Sequence, residues 1–211
     1  VASAPPCALA TTFYSPAGGG SAAQLLTTAQ RVGATALHLC AGSMGPSGGD
    51  FLGELLAELA VVGGQRRREL EVLAVDAALG AARLGRPLAH NACAGSLDRS
   101  EAQEAVAVAT AAMALSQEVG ARFVVLRPGP VAGLGRLWER LRPHFLRGAL
   151  SDDESPADEF MQARSALAGR HLDAAMRSLS QLLNLAQRLN LSVLLPCPRR
   201  ALELPAPAEL G

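Results

Sequence analysis

Lysine and isoleucine are both missing from this sequence, and all nineteen basic residues are arginine. Without lysine, Schiff-base chemistry and a lysine general base are excluded. Both missing residues have AT-rich codons, while Ala and Leu dominate the chain. The bias fits a GC-rich, bacterial genome and carries no functional message. An excess of charge is lacking too. Nineteen basic residues meet nineteen acidic ones, for a formal net charge of +0. A nucleic-acid partner would call for a basic excess or a basic stripe, so none is expected. No run of about 18 apolar residues occurs, which excludes a membrane-spanning helix and leaves no membrane partner. The four cysteines (Cys7, Cys40, Cys93, Cys197) contain no C-x-x-C pair. A disulfide scaffold or zinc ribbon is therefore not expected, and buried thiols in a reducing cytoplasm are. The start, Val1 to Pro6, has neither a basic n-region nor a long apolar stretch, unlike a signal peptide. Its first residue is Val, in keeping with an alternative start codon, a trimmed chain or a fragment.

What remains is a chain of 211 residues, 49% hydrophobic and 18% charged, enough for one domain with a real core. Its pattern alternates strand and helix. Cys7 to Tyr14 reads as a strand. Ser21-Ala22-Ala23-Gln24 is a capping box, opening a helix that Gly33 stops. Ala36 to Cys40 is a second strand, and Asp50 caps a helix to about Val62. Glu71 to Ala77 is a third strand, followed by a long connection from Ala78 to Leu97. Asp98 and Glu101 cap a helix running to Val119 and ending at Gly120. Arg122 to Leu126 is a fourth strand. A short helix is expected near Leu137 to Leu146. A longer one begins at Ser155-Pro156, bends near Gly169 and buries Leu172, Met176, Leu179, Leu183 and Ala186. Asn190 serves as a left-handed cap. Ser192 to Leu195 is a fifth strand, stopped by Pro196. Five βα units without hairpin signals imply an α/β fold with a parallel sheet and right-handed crossovers. An open doubly wound sheet and part of a (β/α)8 barrel both fit, and both place function at the C-terminal strand ends.

Those ends carry little chemistry. His38, Asp76, Arg127 and, from a nearby loop, His90 are the candidate substrate-binding residues; no catalytic residue is identified. His38 and Asp76 are the only candidate metal donors on strands, with His90 beside them. His144 and His171 are expected in solvent. There is no G-x-S-x-G nucleophile elbow. Gly18-Gly19-Gly20-Ser21-Ala22-Ala23 matches G-x-G-x-x-A, the turn of a dinucleotide site, but the second strand offers no acid for a ribose. A Rossmann-like dinucleotide-binding domain thus stands as one alternative and a plain βα turn as the other. Arg66-Arg67-Arg68 reads as a solvated surface segment. Arg127, directly after an apolar strand, is suited to hold a carboxylate or phosphate, or to pair with Asp76.

Two stretches resemble a known family. One runs from Leu97-Asp-Arg-Ser-Glu101 through Glu118-Val-Gly-Ala-Arg-Phe-Val-Val-Leu-Arg-Pro-Gly129. The other comprises Arg170-His-Leu-Asp-Ala-Ala175, the strand Ser192 to Leu195, and Glu203-Leu-Pro-Ala-Pro-Ala-Glu-Leu210. Together they resemble the xylose isomerase-like TIM-barrel family, which includes sugar phosphate isomerases/epimerases and AP-endonuclease family 2. The resemblance implies one domain over 1–211: about five consecutive βα units of an incomplete (β/α)8 barrel, with the C-terminal strands missing. It also implies metal-dependent sugar chemistry, but here the departures count. His38 stands where the family often has Glu, Arg127 where it commonly has His, and Pro196 where a metal-binding Glu belongs. No cofactor is therefore expected, since the family's divalent-metal ligands are not present. The expectation is a cytoplasmic isomerase/epimerase-like protein, catalytically degenerate (a pseudoenzyme) or a fragment, still binding a sugar-like ligand. A non-enzymatic interaction module is the alternative, with a second copy or a partner chain covering the open sheet edges.

Overall fold

The computed structural model describes residues 8–10, 21–40, 52–59, 70–86, 93–147, 155–196 and 202–204. The described residues include five strands: β1 (Ala8–Ala10), β2 (Ala36–Leu39), β3 (Glu71–Asp76), β4 (Phe123–Val125) and β5 (Ser192–Leu194). They form one sheet in the order β1-β2-β3-β4-β5, and every pair is parallel. The helices are α1 (Ala22–Arg31), α2 (residues 52–59), α3 (Leu79–Arg83), α4 (Arg99–Val119), α5 (Gly135–Arg147) and α6 (Ser155–Arg188). Each strand pairs with its successor, as in consecutive units of a (β/α) barrel. Among the described strands the order does not reverse, so they show no switch point of the kind at which a doubly wound sheet places its nucleotide.

One device ends four helices and in three cases returns the chain to a strand. A residue with positive φ stops the helix: Gly33 (73°), Gly85 (64°), Gly120 (70°) and Asn190 (53°). The next amide then bonds back five residues: Ala34 to Ala29 O (2.9 Å), Arg86 to Ala81 O (2.9 Å), Ala121 to Ser116 O (2.8 Å) and Leu191 to Ala186 O (2.9 Å). This satisfies carbonyls that the helix end would leave orphaned. The helix starts are capped as well. Ser21 Oγ accepts from the Gln24 amide (3.3 Å), and Gln24 reaches back to the Ser21 amide (3.2 Å). Asp98 Oδ1 accepts from the amides of Ser100 (2.8 Å) and Glu101 (3.0 Å). The Glu101 carboxylate accepts from the Ser96 hydroxyl, and Ser96 Oγ in turn accepts from the Asp98 amide (3.1 Å).

The residues group into two compact units. The first comprises Val1–His90, Ala107–Leu126 and Leu182–Leu194, and holds the whole sheet. Its core packs Leu25, Leu26 and Ala29 of α1, Leu52 and Leu55 of α2, and Ala112 and Leu115 of α4 against Leu37, Leu39, Val72 and Val75. Burying each leucine contributes about 1.5–3 kcal/mol. Val72 and Val75 are three residues apart yet share this face. The register explains it: Leu37 pairs with Val72 but His38 with Ala74, so Leu73 is an extra residue on β3. The bulge reverses the alternation and turns Asp76 to the opposite face, together with His38.

The second unit comprises Asn91–Val106, Arg127–Gln181 and Leu195–Gly211. Its core contains Val131, Leu134, Leu141, Phe160, Ala168 and Leu204, with Trp138 packed beside them.

Four sequence expectations need correction. The connection after β3 contains a helix, α3. Helix α6 is continuous through Gly169, whose environment is open, with nothing within 4 Å of an added Cβ. Its buried stripe is also not the one that hydropathy selects. Met176 (59%) and Leu183 (49%) are exposed, whereas Ala168, His171, Ala175, Ser178, Leu179, Leu182 and Ala186 are buried. His171 is only 2% exposed rather than solvated. No helix among the described residues is long and apolar enough to cross a membrane.

Candidate functional site

The strand ends of the first unit bring two candidates onto one sheet face. His38 is half-buried on β2, between the fully buried Leu37 and Leu39. Asp76 closes β3, and its register partner on β4 is Val125. Asp76 is buried at 6% exposure. Its Oδ1 accepts from the Ala78 amide at 3.1 Å, two residues on. This Asx turn starts α3, which gives Asp76 a structural task. Cys40 is buried next to this row, and its thiol donates to His38 O at 3.6 Å. His90 and the glycines of the Gly18–Ala23 turn lie outside the described residues, as does Arg66–Arg68.

Arg127 belongs to the second unit. It is exposed and heads the loop that follows β4. The rest of that loop is held residue by residue. Pro128 O accepts from the Gly95 amide and from the Cys93 thiol, both at 2.9 Å. Gly129 has φ 100°, and a Cβ there would lie 2.1 Å from Cys93 Sγ. Only glycine fits, for reasons of both backbone and space. Gly129 O accepts from the Leu204 amide at 3.0 Å, Pro130 forms an antiparallel bridge with Glu203, and the Val131 amide donates to Leu202 O at 2.8 Å. Arg164, itself buried, donates from Nη2 to Glu203 O at 3.1 Å and so secures the bracing segment. Ser178 Oγ donates to Ala94 O at 2.9 Å and secures the other side.

His171 completes the brace. Its Nδ1 lies 2.7 Å from Gly95 O, and its Nε2 lies 3.3 Å from the Ala132 amide nitrogen. A carbonyl can only accept and an amide N–H can only donate. The imidazole is therefore the neutral tautomer with its proton on Nδ1. Beside it, burial pushes the Cys93 thiol above its ordinary value. A backbone hydrogen bond from Gly95 opposes this, and the Glu101 carboxylate adds to it. Cys93 is thus a neutral hydrogen-bond donor and not a nucleophile. Sequence reasoning gives Cys93 only as a buried thiol, places His171 in solvent, and assigns no role to Gly95, Arg164 or Glu203. Pro128-Gly129-Pro130 was the visible signal of the loop; its brace comes from segments as distant as Cys93, 35 residues before Pro128, and Leu204, far beyond Gly129.

The donors required by a divalent-metal site do not fit these residues. Among the described residues, no three His, Cys, Asp or Glu side chains converge. Pro196, directly beyond β5, has no ligand atom, and one Asp76 oxygen already accepts a backbone amide. What the arrangement offers is an exposed guanidinium on a rigid support, suited to bidentate bonds with carboxylate, phosphate or paired hydroxyls.

No protein-family model matches the chain, and no curated protein matches it by sequence. Solved structures do resemble it. One is a D-tagatose 3-epimerase-like protein, with a TM-score of 0.56 at 14% identity over 95% of this chain and 56% of that one. Another is the 3-keto-D-glucoside 4-epimerase YcjR from E. coli, with a TM-score of 0.53 at 13% identity over 92% of this chain and 56% of that one. The chain thus spans little more than half the length of either structure. Identity at this level speaks to architecture alone: the chain has a parallel α/β, TIM-barrel-like fold.

Proposed function

We propose that this chain is a sugar epimerase-like barrel protein that holds a sugar-like ligand through Arg127 and has shed metal-dependent epimerisation. The observation that carries the reading is the Arg127 loop. In barrels of this kind, ligands meet residues at the C-terminal ends of strands. Arg127 stands at such an end, exposed, on a loop fixed by bonds to residues 93–95, 171 and 202–204. A loop backbone fixed in advance gives up little entropy on binding. The names of the similar structures, a tagatose epimerase-like protein and a ketoglucoside epimerase, suggest the class of ligand. Pro196, His38 and Arg127, standing where the resembled family has Glu, Glu and His, support the loss of metal-dependent proton transfer.

Two experiments test the two halves of this reading. For binding, the chain is titrated calorimetrically with D-glucose 6-phosphate, D-glucose and inorganic phosphate. Saturable binding of the sugar phosphate, weakened tenfold or more in Arg127→Ala, is expected. For chemistry, the purified chain is incubated with D-tagatose and Mn²⁺, with and without chelator. No turnover is expected; epimerisation that chelator abolishes would show that the metal chemistry survives.

A further inference from the structure

We propose that His171 is the pH-sensitive latch of the Arg127 loop, holding it while neutral and releasing it when protonated. The ring bridges two loops that share no sequence neighbourhood. Its Nδ1–H donates to Gly95 O (2.7 Å) and its Nε2 accepts from the Ala132 amide (3.3 Å). Protonation would put an N–H on Nε2, facing the Ala132 N–H. Donor then meets donor inside a site where the ring is 2% exposed. The Gly95 bond survives protonation; the Ala132 bond cannot. The loop is therefore pinned while the ring is neutral and freed once the ring is protonated.

The charged and titratable groups on the surrounding elements are few. Arg164 precedes His171 by two turns on α6, and Glu203 sits on the segment paired with Pro130. Arg127 heads the loop, Glu101 opens α4 and is bonded to Ser96, and Cys93 stays a neutral thiol at acid pH. Among the described residues no carboxylate bonds the imidazole in place of Ala132. Release would loosen the support of Arg127. That consequence rests on the ligand reading above; the latch itself does not.

A reporter is already built in. Trp138 is the only tryptophan. It packs on the cluster that contains Val131 and Leu134, which flank Ala132, and its ring lies 6.1 Å from that of Phe160. The test follows Trp138 emission from pH 8 to pH 5 without ligand, with far-UV circular dichroism in parallel and the histidine ring protons followed by NMR. The wild type should show an emission step whose midpoint coincides with the titration of His171, while secondary structure is kept. His171→Gln, whose amide supplies a donor and an acceptor that do not titrate, should abolish the step. His144→Gln, on the same helix as Trp138, should leave it. No step in the wild type, a step away from the His171 midpoint, or a step that persists in His171→Gln would each overturn the latch. If His171→Gln fails to fold, the coincidence of midpoints in the wild type decides. Because no ligand is present, failure here leaves the Arg127 reading standing.

Discussion

Replacing Gly129 with alanine tests whether the loop after β4 is as tightly fixed as its hydrogen bonds imply. Two costs add. A non-glycine residue at φ 100° is strained by about 1–3 kcal/mol. The new Cβ would also lie 2.1 Å from Cys93 Sγ and 2.9 Å from Cys93 Cβ, so the thiol must leave its place, for about 1–3 kcal/mol of overpacking. The expected loss is about 2–6 kcal/mol, read as a shift in the urea midpoint followed by Trp138 emission. Cys93→Ala alone should cost about 1–3 kcal/mol, because it removes a buried sulfur and the bond to Pro128 O. In the double mutant the sulfur is gone and only the 2.9 Å contact remains. The two losses should fall short of additive by at least about 1 kcal/mol. A loss below about 1 kcal/mol for Gly129→Ala, or strict additivity with Cys93→Ala, would refute the packing argument.

Three further outcomes are expected. Gly80→Ala would set a Cβ 1.8 Å from the Val108 backbone oxygen, which cannot rotate away, so α3 must lift off α4. Calorimetry should show a loss of more than about 3 kcal/mol. Asp98→Ala removes the acceptor for two amides of α4 and should cost about 0.5–2 kcal/mol in the same assay, with Asp98→Asn close to wild type. The raised Cys93 thiol binds its proton more tightly in the folded state than in the unfolded one. Its stabilising effect is therefore complete below the ordinary thiol value and lost as pH rises from there through the raised value of the folded state. Unfolding curves from pH 7 to pH 10 should show a steeper alkaline loss for the wild type than for Cys93→Ala.

Much of the scaffold was legible because it rests on local chemistry. Ser21 with Gln24, Asp98 ahead of Glu101, and the stops at Gly33, Gly120 and Asn190 are all visible as short patterns, and each does in the structure what its residue type allows. The phase of α6 was not legible. Its buried side pairs alanines and leucines with His171, Ser178 and Arg164, which bond backbone carbonyl or amide groups of distant loops. Hydropathy counts such residues as exterior and so prefers Met176 and Leu183, which face out. The bulge at Leu73 was hidden for a similar reason: an apolar run offers no alternation from which a change of face can be read. Arg127 was found from its place after an apolar strand. Its supports were not, because a tautomer-specific histidine and a thiol donating to a carbonyl leave no spacing signature.

The ligand reading turns on Arg127 most directly. Calorimetric titration of D-glucose 6-phosphate into wild type, Arg127→Ala and Arg127→Lys decides it. The account predicts saturable binding to the wild type, a tenfold or greater loss in Arg127→Ala and an intermediate loss in Arg127→Lys, because an ammonium keeps the charge but not the bidentate fork. Equal binding by wild type and Arg127→Ala, or none by the wild type, would contradict it.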